Sequence, residues 1–464
     1  MKKYCGIISA CILGLILVGV YAYSAQKSDF SAEQILADSK FKGRTFKGKT
    51  EVVSGINGKL KAYLMEEHSL PLVSLHFGFK NAGQGYVAKN GVVLMTETVM
   101  LDGAGKYNRK KLREVMREKG IRLSVTGGAD NLDFSLSYIK EFERDALEIL
   151  KAVLYEPHFN YEDMRLARKQ LQAVRKQQQE SPQYLLEELV RTEFYKKHPY
   201  GVESIPEDAV LAQVSKADIK KYLENYMTKD NLYIGFAGDI DVAEAEAFMV
   251  QAFGQLKSKA DELKIEKLEV SGKEVATQSD TSAQSFVLMF AKGIERSDKD
   301  FYPLYIADYV FGGSGLTSRL NQAVREKEGL TYGIYSYFTM SDGADLWNIG
   351  FSATPENVKQ IKEITAQEYR KFYQNGITAE ELAQAKKSLM SSFNLRFAEL
   401  SNISAMLKVM QEENLGMDFL LKRQGFIEKV SLQEVNAAIK NKLPKDLSIQ
   451  NGVNLFEVQA QKKL

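Results

Sequence analysis

Cysteine is nearly absent from this sequence of 464 residues, and its two cysteines, Cys5 and Cys11, both precede residue 25. The remainder of the chain therefore has no disulfide framework, no cysteine nucleophile and no cysteine-based zinc site. Histidine is also scarce. The four histidines are His68, His76, His158 and His198, and no two of them are four residues apart. No helix of this chain can therefore present paired imidazoles to one metal ion.

An excess of charge of either sign is also lacking. Lys and Arg total 62 and Asp and Glu total 60, and two of the lysines, Lys2 and Lys3, precede an apolar run at the N-terminus. A neutral body argues against nucleic acid or an anionic membrane surface as the main partner, because both require a basic excess. The chain has only 8 prolines and is 44% hydrophobic, which describes a globular protein of two to four domains.

The first 25 residues are typical of an export signal. Lys2 and Lys3 are followed by an uncharged apolar run from Tyr4 to Ala25 that ends in small residues. The run is about 20 residues long, so an uncleaved inner-membrane anchor is an alternative. Lipidation at Cys11 is a third possibility, although most of the apolar run follows that cysteine. We expect an exported protein, in the periplasm or anchored at the periplasmic face of the inner membrane.

Hydrophobic periodicity predicts strands over 60–65 and 72–79, with His76 on the solvated face of the second strand. Asn90 is expected to cap an apolar helix. A long helical stretch from 161 to 195 is interrupted at Ser181-Pro182. Residues 256–284 are dense in Lys, Glu, Ser and Thr, which is typical of a connecting segment.

The pattern of the first half recurs in the second. The offsets between matching positions nearly agree: 208 from Arg117 to Arg325, 218 from Arg168 to Lys386, and 216 from Ser215 to Ser431. We therefore expect an α+β fold of two homologous halves, 45–255 and 285–460, each a mixed sheet with its helices on one side, joined by a linker over 256–284.

Residues 323–332 close an apolar helical pattern with basic residues and Gly329, and an aromatic run follows. Arg325 is thus expected in the last helical turn and Tyr332 near the start of a strand. Together with the glycine-rich segment 312–320, the sequence His-Pro-Tyr-Gly at 198–201 and the helix after Asn90, this motif resembles the pitrilysin/insulinase family of zinc metallopeptidases, which includes the mitochondrial processing peptidase. The resemblance covers nearly the whole exported body and implies α/β-sandwich halves of the clamshell type.

In active members of that family, the helix that matches residues 91–100 carries His-x-x-Glu-His, whose imidazoles hold zinc while the glutamate activates water. Leu94 and Thr98 stand at the histidine positions here, and Glu97 alone is retained. Leucine cannot ligate zinc, and a threonine hydroxyl is a poor ligand.

The third zinc ligand of the family is a glutamate on the long helix that follows. Counting back from the His-Pro-Tyr-Gly sequence places it at Ala173 or Val174, neither of which can bind a metal. The resemblance therefore implies a degenerate motif and no metal site in this chain. Glu97 is then interpreted as a charged residue on an otherwise apolar helix.

The arginine and tyrosine that match Arg325 and Tyr332 face the zinc site in active relatives and hydrogen-bond the substrate as the tetrahedral intermediate forms. Guanidinium and phenol suit this role, because both donate toward developing negative charge. In the alternative, Arg325 satisfies helix carbonyls and Tyr332 stacks on a strand. The first half keeps Arg117 but has Val125 or a close neighbour where the tyrosine would stand.

The resemblance thus implies a zinc-free, exported subunit that assembles with a zinc-bearing paralogue, with Arg325 and Tyr332 completing the partner's active site. The substrate would be an unfolded peptide that adds a strand to a sheet edge. One alternative is a non-catalytic scaffold or peptide-binding protein, like the core subunits of the respiratory complex that share this fold. A self-sufficient peptidase with a different metal set agrees poorly with the four histidines.

Overall fold

The computed structural model describes residues 49–460 except 57, 259–263, 280–281, 396 and 398. The segment predicted as a signal or anchor lies outside these residues. Within the described part, no helix is long and apolar enough to cross a membrane. The strands are β1 (Glu51–Gly55), β2 (Leu60–Glu66), β3 (Leu72–Lys80), β4 (Gly103–Ala104), β5 (Tyr107–Asn108), β6 (Arg122–Gly127), β7 (Asn131–Ile139), β8 (Leu232–Gly238), β9 (Glu274–Ser279), β10 (Ser285–Lys292), β11 (Ile334–Thr339), β12 (Leu346–Ala353) and β13 (Asn454–Ala460).

Helices connect and follow these strands. They are α1 (Val92–Val99), α2 (Arg109–Glu118), α3 (Glu143–Tyr155), α4 (Tyr161–Gln179), α5 (Pro182–Val190), α6 (Asp208–Leu211), α7 (Lys216–Tyr226), α8 (Val242–Phe253), α9 (Phe301–Asp308), α10 (Arg319–Asn321), α11 (Pro355–Asn375), α12 (Ala379–Leu395), α13 (Leu400–Glu412), α14 (Phe419–Glu428) and α15 (Leu432–Lys442). Pro182 occupies the first turn of α5, so the predicted interruption of the long helix is confirmed.

Two mixed sheets confirm the predicted duplication. The first sheet has the order β1-β2-β8-β3-β7-β6 and the second the order β9-β13-β10-β12-β11. In the first sheet β2 pairs with β8 in parallel, as β9 pairs with β13 in the second sheet. The strand pairs that follow them in the two orders are antiparallel. Ser215 and Ser431, which are 216 residues apart, both cap a helix through a capping box.

Two local predictions need correction. Residues 274–279, which we assigned to the linker, form β9, the counterpart of β2. Composition did not reveal β9, because the segment is largely polar with exposed and half-buried positions alternating, and because its partner β13 lies far along the chain. The N-cap of α1 is Gly91 rather than Asn90. Gly91 has φ 82°, and a Cβ atom there would lie 2.7 Å from the Leu211 side chain, so only glycine fits.

Each sheet packs its own helices on one face and a helix of the other half on the opposite face. On β3, Val73, Leu75 and Phe77 face the core of the first half. The opposite face of β3, β8 and β2 is covered by α13 from the second half. In return, α5 from the first half lies across β13, β10 and β9. Each half therefore supplies the helix that covers the second face of the other half's sheet.

The joint under α13 is partly apolar, because Met65 and Ala237 of the first sheet pack in one cluster with Leu407, and partly polar. Ser404 Oγ lies 2.9 Å from Ser74 Oγ and 2.8 Å from His76 Nδ1. Lys408, which is only 7% exposed, lies 2.7 Å from both Asp133 and Glu412. The interpretation of His76 as a solvated histidine is wrong, because α13 covers it. Burial, together with the positive charge of Lys408, lowers the pKa of His76 to about 4.

The joint under α5 is apolar. Leu186, Leu189 and Val190 pack with Phe290 of β10. Phe194, in the π-helical turn after α5, meets the Phe290 ring edge-on with the centroids 4.8 Å apart. Hydrophobic burial therefore contributes at both exchanged helices, and α13 adds buried charges and hydroxyls.

Replacing Lys408 with Ala should destabilise the protein by about 3–5 kcal/mol, because the Glu412 side chain, which is 8% exposed, would remain buried without its cation. The effect is measured by urea denaturation. Lys422→Ala is the control, because Lys422 and its partner Asp418 are 60% and 50% exposed and the loss should stay below about 1 kcal/mol. Equal losses for the two variants would show that the charges under α13 do not hold the joint.

Candidate functional site

The helix of the degenerate motif, α1, packs against α4, α7 and β6 of its own half. Leu94 is 2% exposed and belongs to the core of that half. Thr98 is half-buried, and its hydroxyl donates to the carbonyl of Leu94 at 2.7 Å. The side chains at both histidine positions are thus engaged inside the first half.

The positions counted for the third ligand agree with this picture. Ala173 is exposed, and Val174 is half-buried against the core of the first half. The residues at this site do not fit a zinc ion, because they offer no imidazole and one carboxylate. Throughout the described residues, no group of three or more His, Cys, Asp or Glu side chains is placed to hold a metal ion.

Glu97 is tied to the edge of the sheet. It is largely buried, and its carboxylate accepts a hydrogen bond from the backbone N–H of Gly127, the last residue of β6. Burial raises the pKa of Glu97 to about 7, although the bond from Gly127 opposes the shift. A Cβ atom on Gly127 would lie 2.5 Å from Val93. The Glu97 carboxylate therefore packs closely against the backbone of Gly127. The sequence analysis did not anticipate this contact.

Arg325 lies in a π-helical turn, Gln322–Glu326, that ends the short helix α10. Its carbonyl accepts the N–H of Gly329 at 3.0 Å, and Gly329 reverses the chain with φ 64°. The guanidinium is 33% exposed and lies 3.6 Å from the Glu326 carboxylate. This ion pair is weak enough to be exchanged for another acceptor.

Tyr332 stands two residues before β11 and is 83% exposed. Within the described part of the chain, its hydroxyl makes no hydrogen bond, and its ring stacks on no other ring. The neighbouring residues are fixed. Thr331 donates to the carbonyl of Ser352 at 2.6 Å and accepts the N–H of Gly333 at 3.2 Å. Hydrogen bonds thus fix the backbone on both sides of Tyr332, while its phenol ring is exposed.

Asp308, at the end of α9 and just before the glycine-rich segment, is bonded to β11 and β12. It is buried, and its carboxylate accepts from Ser336 Oγ at 2.6 Å and Trp347 Nε1 at 2.8 Å. Burial raises its pKa to about 6, against the effect of these bonds. A Cβ atom on Gly312 would lie 2.5 Å from the Ser336 nitrogen, so the segment lies directly on β11. A lone aspartate in an apolar helix was the available signal, and the sequence analysis missed it.

The His-Pro-Tyr-Gly segment joins the two halves. The Tyr200 hydroxyl donates to Asp130 at the tip of the β6–β7 hairpin. At the tip of the β11–β12 hairpin, Asp342 accepts from Tyr86 at 2.6 Å. His198 Nε2 lies 2.9 Å from the carbonyl of Glu266. These contacts make the segment structural. Asp130 as the partner of Tyr200, and Asp342 as the partner of Tyr86, could not be identified from sequence spacing.

Comparisons with known proteins agree with this geometry. Residues 83–206 match the family model described as "Insulinase (Peptidase family M16)", and residues 213–389 match "Peptidase M16 inactive domain". The chain is 25% identical to the non-peptidase homolog YmxG of Helicobacter pylori over 390 residues, which are 82% of this chain and 89% of that protein. It is 23% identical to the uncharacterized zinc protease YmxG of Bacillus subtilis, over 66% of this chain and 74% of that protein.

Among solved structures, the peptidase M16 inactive domain from Pseudomonas fluorescens superposes with a TM-score of 0.81 at 23% identity, covering 89% of this chain and 98% of that one. This likeness concerns the fold. The two family models cover consecutive parts of both halves, and α1 lacks the ligands of the zinc motif. The chain therefore belongs to the insulinase (M16) peptidase family, and its residues 213–389 match the inactive domain of that family.

Proposed function

We propose that this chain is the exported, zinc-free subunit of a heteromeric metallopeptidase and that Arg325 and Tyr332 complete the active site of a zinc-bearing paralogue. The observation that carries the proposal is the contrast between the two sites. The motif positions on α1 face the core or the sheet edge of their own half. Arg325 and Tyr332 project from a firmly held turn and have few partners of their own.

An exposed phenol contributes little to the fold that presents it, since aromatic side chains stabilise mainly by burial. Tyr332 and the half-exposed guanidinium of Arg325 are hydrogen-bond donors that a second chain can use. At a partner's zinc site they would donate to the carbonyl oxygen of a peptide as it becomes an oxyanion. Removing one such donor commonly lowers kcat by about 10²–10³.

The proposed setting is the periplasm, or the periplasmic face of the inner membrane if residues 1–25 remain attached. The proposed substrate is an unfolded peptide, because strand addition to a sheet edge requires an extended chain. The cofactor of the complex would be zinc held by the paralogue alone. A non-catalytic scaffold or peptide-binding protein is the second candidate, and the engagement of Glu97 with β6 favours it over a peptidase acting alone.

Hydrolysis of a quenched peptide library by the mixture of both chains tests the split active site. Activity should require both chains, and Arg325→Ala or Tyr332→Phe should lower kcat by about 10²–10³, because each removes one donor. Tyr161→Phe and Arg165→Ala on α4 are matched controls. Tyr161 is 73% exposed and Arg165 is 41% exposed, so both resemble the tested residues in exposure and should leave activity unchanged.

Activity of the paralogue alone that equals the activity of the mixture would favour the scaffold. Activity of this chain alone that a chelator abolishes would contradict the assignment of zinc to the partner.

The proposal gives Glu97 a structural role, which its pH dependence can test. The folded-state pKa of about 7 exceeds the ordinary value of 4.5. The carboxyl therefore favours the folded state fully below about pH 4, and this contribution is lost as pH rises through 7. Glu97→Gln should keep an acceptor for Gly127 and lack this loss.

Relative to wild type, Glu97→Gln should therefore gain about 2–3 kcal/mol of unfolding free energy between pH 5 and pH 8, measured by urea denaturation. Glu162→Gln is the control, because its side chain is 69% exposed, and its profile should parallel that of wild type. Parallel profiles for Glu97→Gln as well would mean that Glu97 is not buried as described.

A further inference from the structure

The loop that carries Arg325 and Tyr332, residues 322–333, is closed at its base by one side chain. Asn321 is fully buried and is the last residue of α10, directly before the π-helical turn of Arg325. Its side-chain amide donates to the carbonyl of Ile334 at 2.6 Å and accepts the N–H of Ile334 at 3.2 Å. Ile334 begins β11. Neighbouring antiparallel strands exchange two such bonds between paired residues, so the amide takes the place of a strand at this edge.

Asn321 also holds the glycine-rich segment. Its amide nitrogen donates to the carbonyl of Gly315 at 3.0 Å, in addition to the carbonyl of Ile334. Both amide hydrogens are therefore used inside the protein, and they join the glycine-rich segment to the start of β11. A fully buried amide without these partners would be costly, so the side chain favours this one arrangement of the loop.

Two backbone bonds cross the loop above this base. The N–H of Leu330 donates to the carbonyl of Val324 at 3.2 Å, and the N–H of Gly329 donates to the carbonyl of Arg325 at 3.0 Å. Val324 is fully buried, whereas the Arg325 side chain is 33% exposed. Asn321 therefore fixes where the loop begins and ends, and the backbone bonds hold Arg325 relative to that base.

The first half has no such base. Arg113 precedes Asn321 by 208 residues, the offset that also relates Arg117 to Arg325. The Arg113 side chain is 66% exposed and lies 3.1 Å from Asp102. Among the described residues, no hydrogen bond joins Arg113 to β6. The amide clamp thus occurs in the half that carries the arginine together with the tyrosine.

We propose that Asn321 is a positioning residue of the shared active site, because it closes the loop that presents Arg325 and Tyr332 to the partner. This inference rests on the proposed function and adds the residue on which the geometry of the pair depends. Asn321 touches neither substrate nor metal and acts through the loop. Donors to a developing oxyanion must be held in place beforehand, and a displacement of about 1 Å can cost a factor of about 100 in rate.

Amide hydrogen exchange of the full chain tests the base of the loop without a partner. Asn321→Ala should raise the exchange rate of the Ile334 amide by at least about tenfold, because its N–H loses its acceptor. Unchanged exchange of Ile334 in a folded Asn321→Ala chain would overturn the proposal.

Asn436→Ala is the matched control. On α15, Asn436 accepts the N–H of Ile377 at 2.8 Å and donates to its carbonyl at 3.3 Å, which are the same two bonds in another part of the second half. This variant should raise the exchange rate of Ile377 and leave both Ile334 and the activity of the mixture unchanged. A matching loss of activity in Asn436→Ala would show that a general loss of stability, and not the loop, causes the effect.

Kinetics of the mixture of both chains test the link to Arg325, with the best-cleaved peptide of the quenched library. Asn321→Ala should lower kcat by about 10- to 100-fold and change KM by less than about twofold, because it displaces donors to the transition state. Combined with Arg325→Ala, the total loss should be at least about fivefold smaller than the product of the separate losses. Losses that multiply would mean that Asn321 does not act through Arg325, which contradicts the inference and leaves the split active site intact.

Asn321→Asp keeps the test decisive if Asn321→Ala does not fold. Its carboxyl has the shape of the amide and an acceptor for the Ile334 N–H but lacks the amide N–H donors, so kcat should fall in the same direction. Unchanged kcat in folded Asn321→Asp would refute the role of the amide. A kcat that Arg325→Ala leaves unchanged would instead contradict the proposed function, and the inference with it, whatever the exchange of Ile334 shows.

Discussion

The exchange of α5 and α13 between the two halves is the constraint on which the remaining structure depends. Each half places its own helices on one face of its sheet, and the other face has no cover of its own. A sheet face stripped of its helix would expose buried polar groups in the first half and aromatic rings in the second. The tips of the β6–β7 and β11–β12 hairpins meet where the halves are locked, since the N–H of Asp342 donates to Asp130 at 3.5 Å.

The two joints use different chemistry for the same task. Under α13, hydroxyls, a histidine, a lysine and two acids are satisfied only when the register between the halves is correct, so this joint specifies alignment. Under α5, leucine and phenylalanine side chains supply burial, which is less selective in geometry. Apolar burial is thus present under both helices, which occupy equivalent places in the repeat, and α13 adds the polar groups that favour one register.

Much of this architecture could be predicted from sequence. The nearly constant offsets revealed the duplication, and Ser215 and Ser431 cap equivalent helices. The loss of ligands at Leu94 and Thr98 was visible because zinc chemistry depends on residue type. The burial of His76 was not, since the helix that covers it lies more than 300 residues away in the chain. Glu97 was interpreted as a charged residue in a chain without a metal site. Its bond to Gly127 was not predicted, because it depends on how α1 meets the edge of β6, which hydrophobic periodicity does not encode.

The separation of α13 from the sheet that it covers has a consequence for biosynthesis. A chain is synthesised N-terminus first, so β8, the last strand of the first sheet to be made, is complete at Gly238, long before α13 begins at Leu400. During that interval the uncovered face shows Ser74, His76 and Asp133, which water can solvate, beside the apolar Met65 and Ala237. The apolar surface of α5 stays uncovered until the second sheet forms. This surface is small, because α5 is a short helix. α5 is made before the first sheet is finished, and the sheet that it covers is completed only with β13, so both exchanged surfaces stay partly uncovered until the final part of the chain has been made.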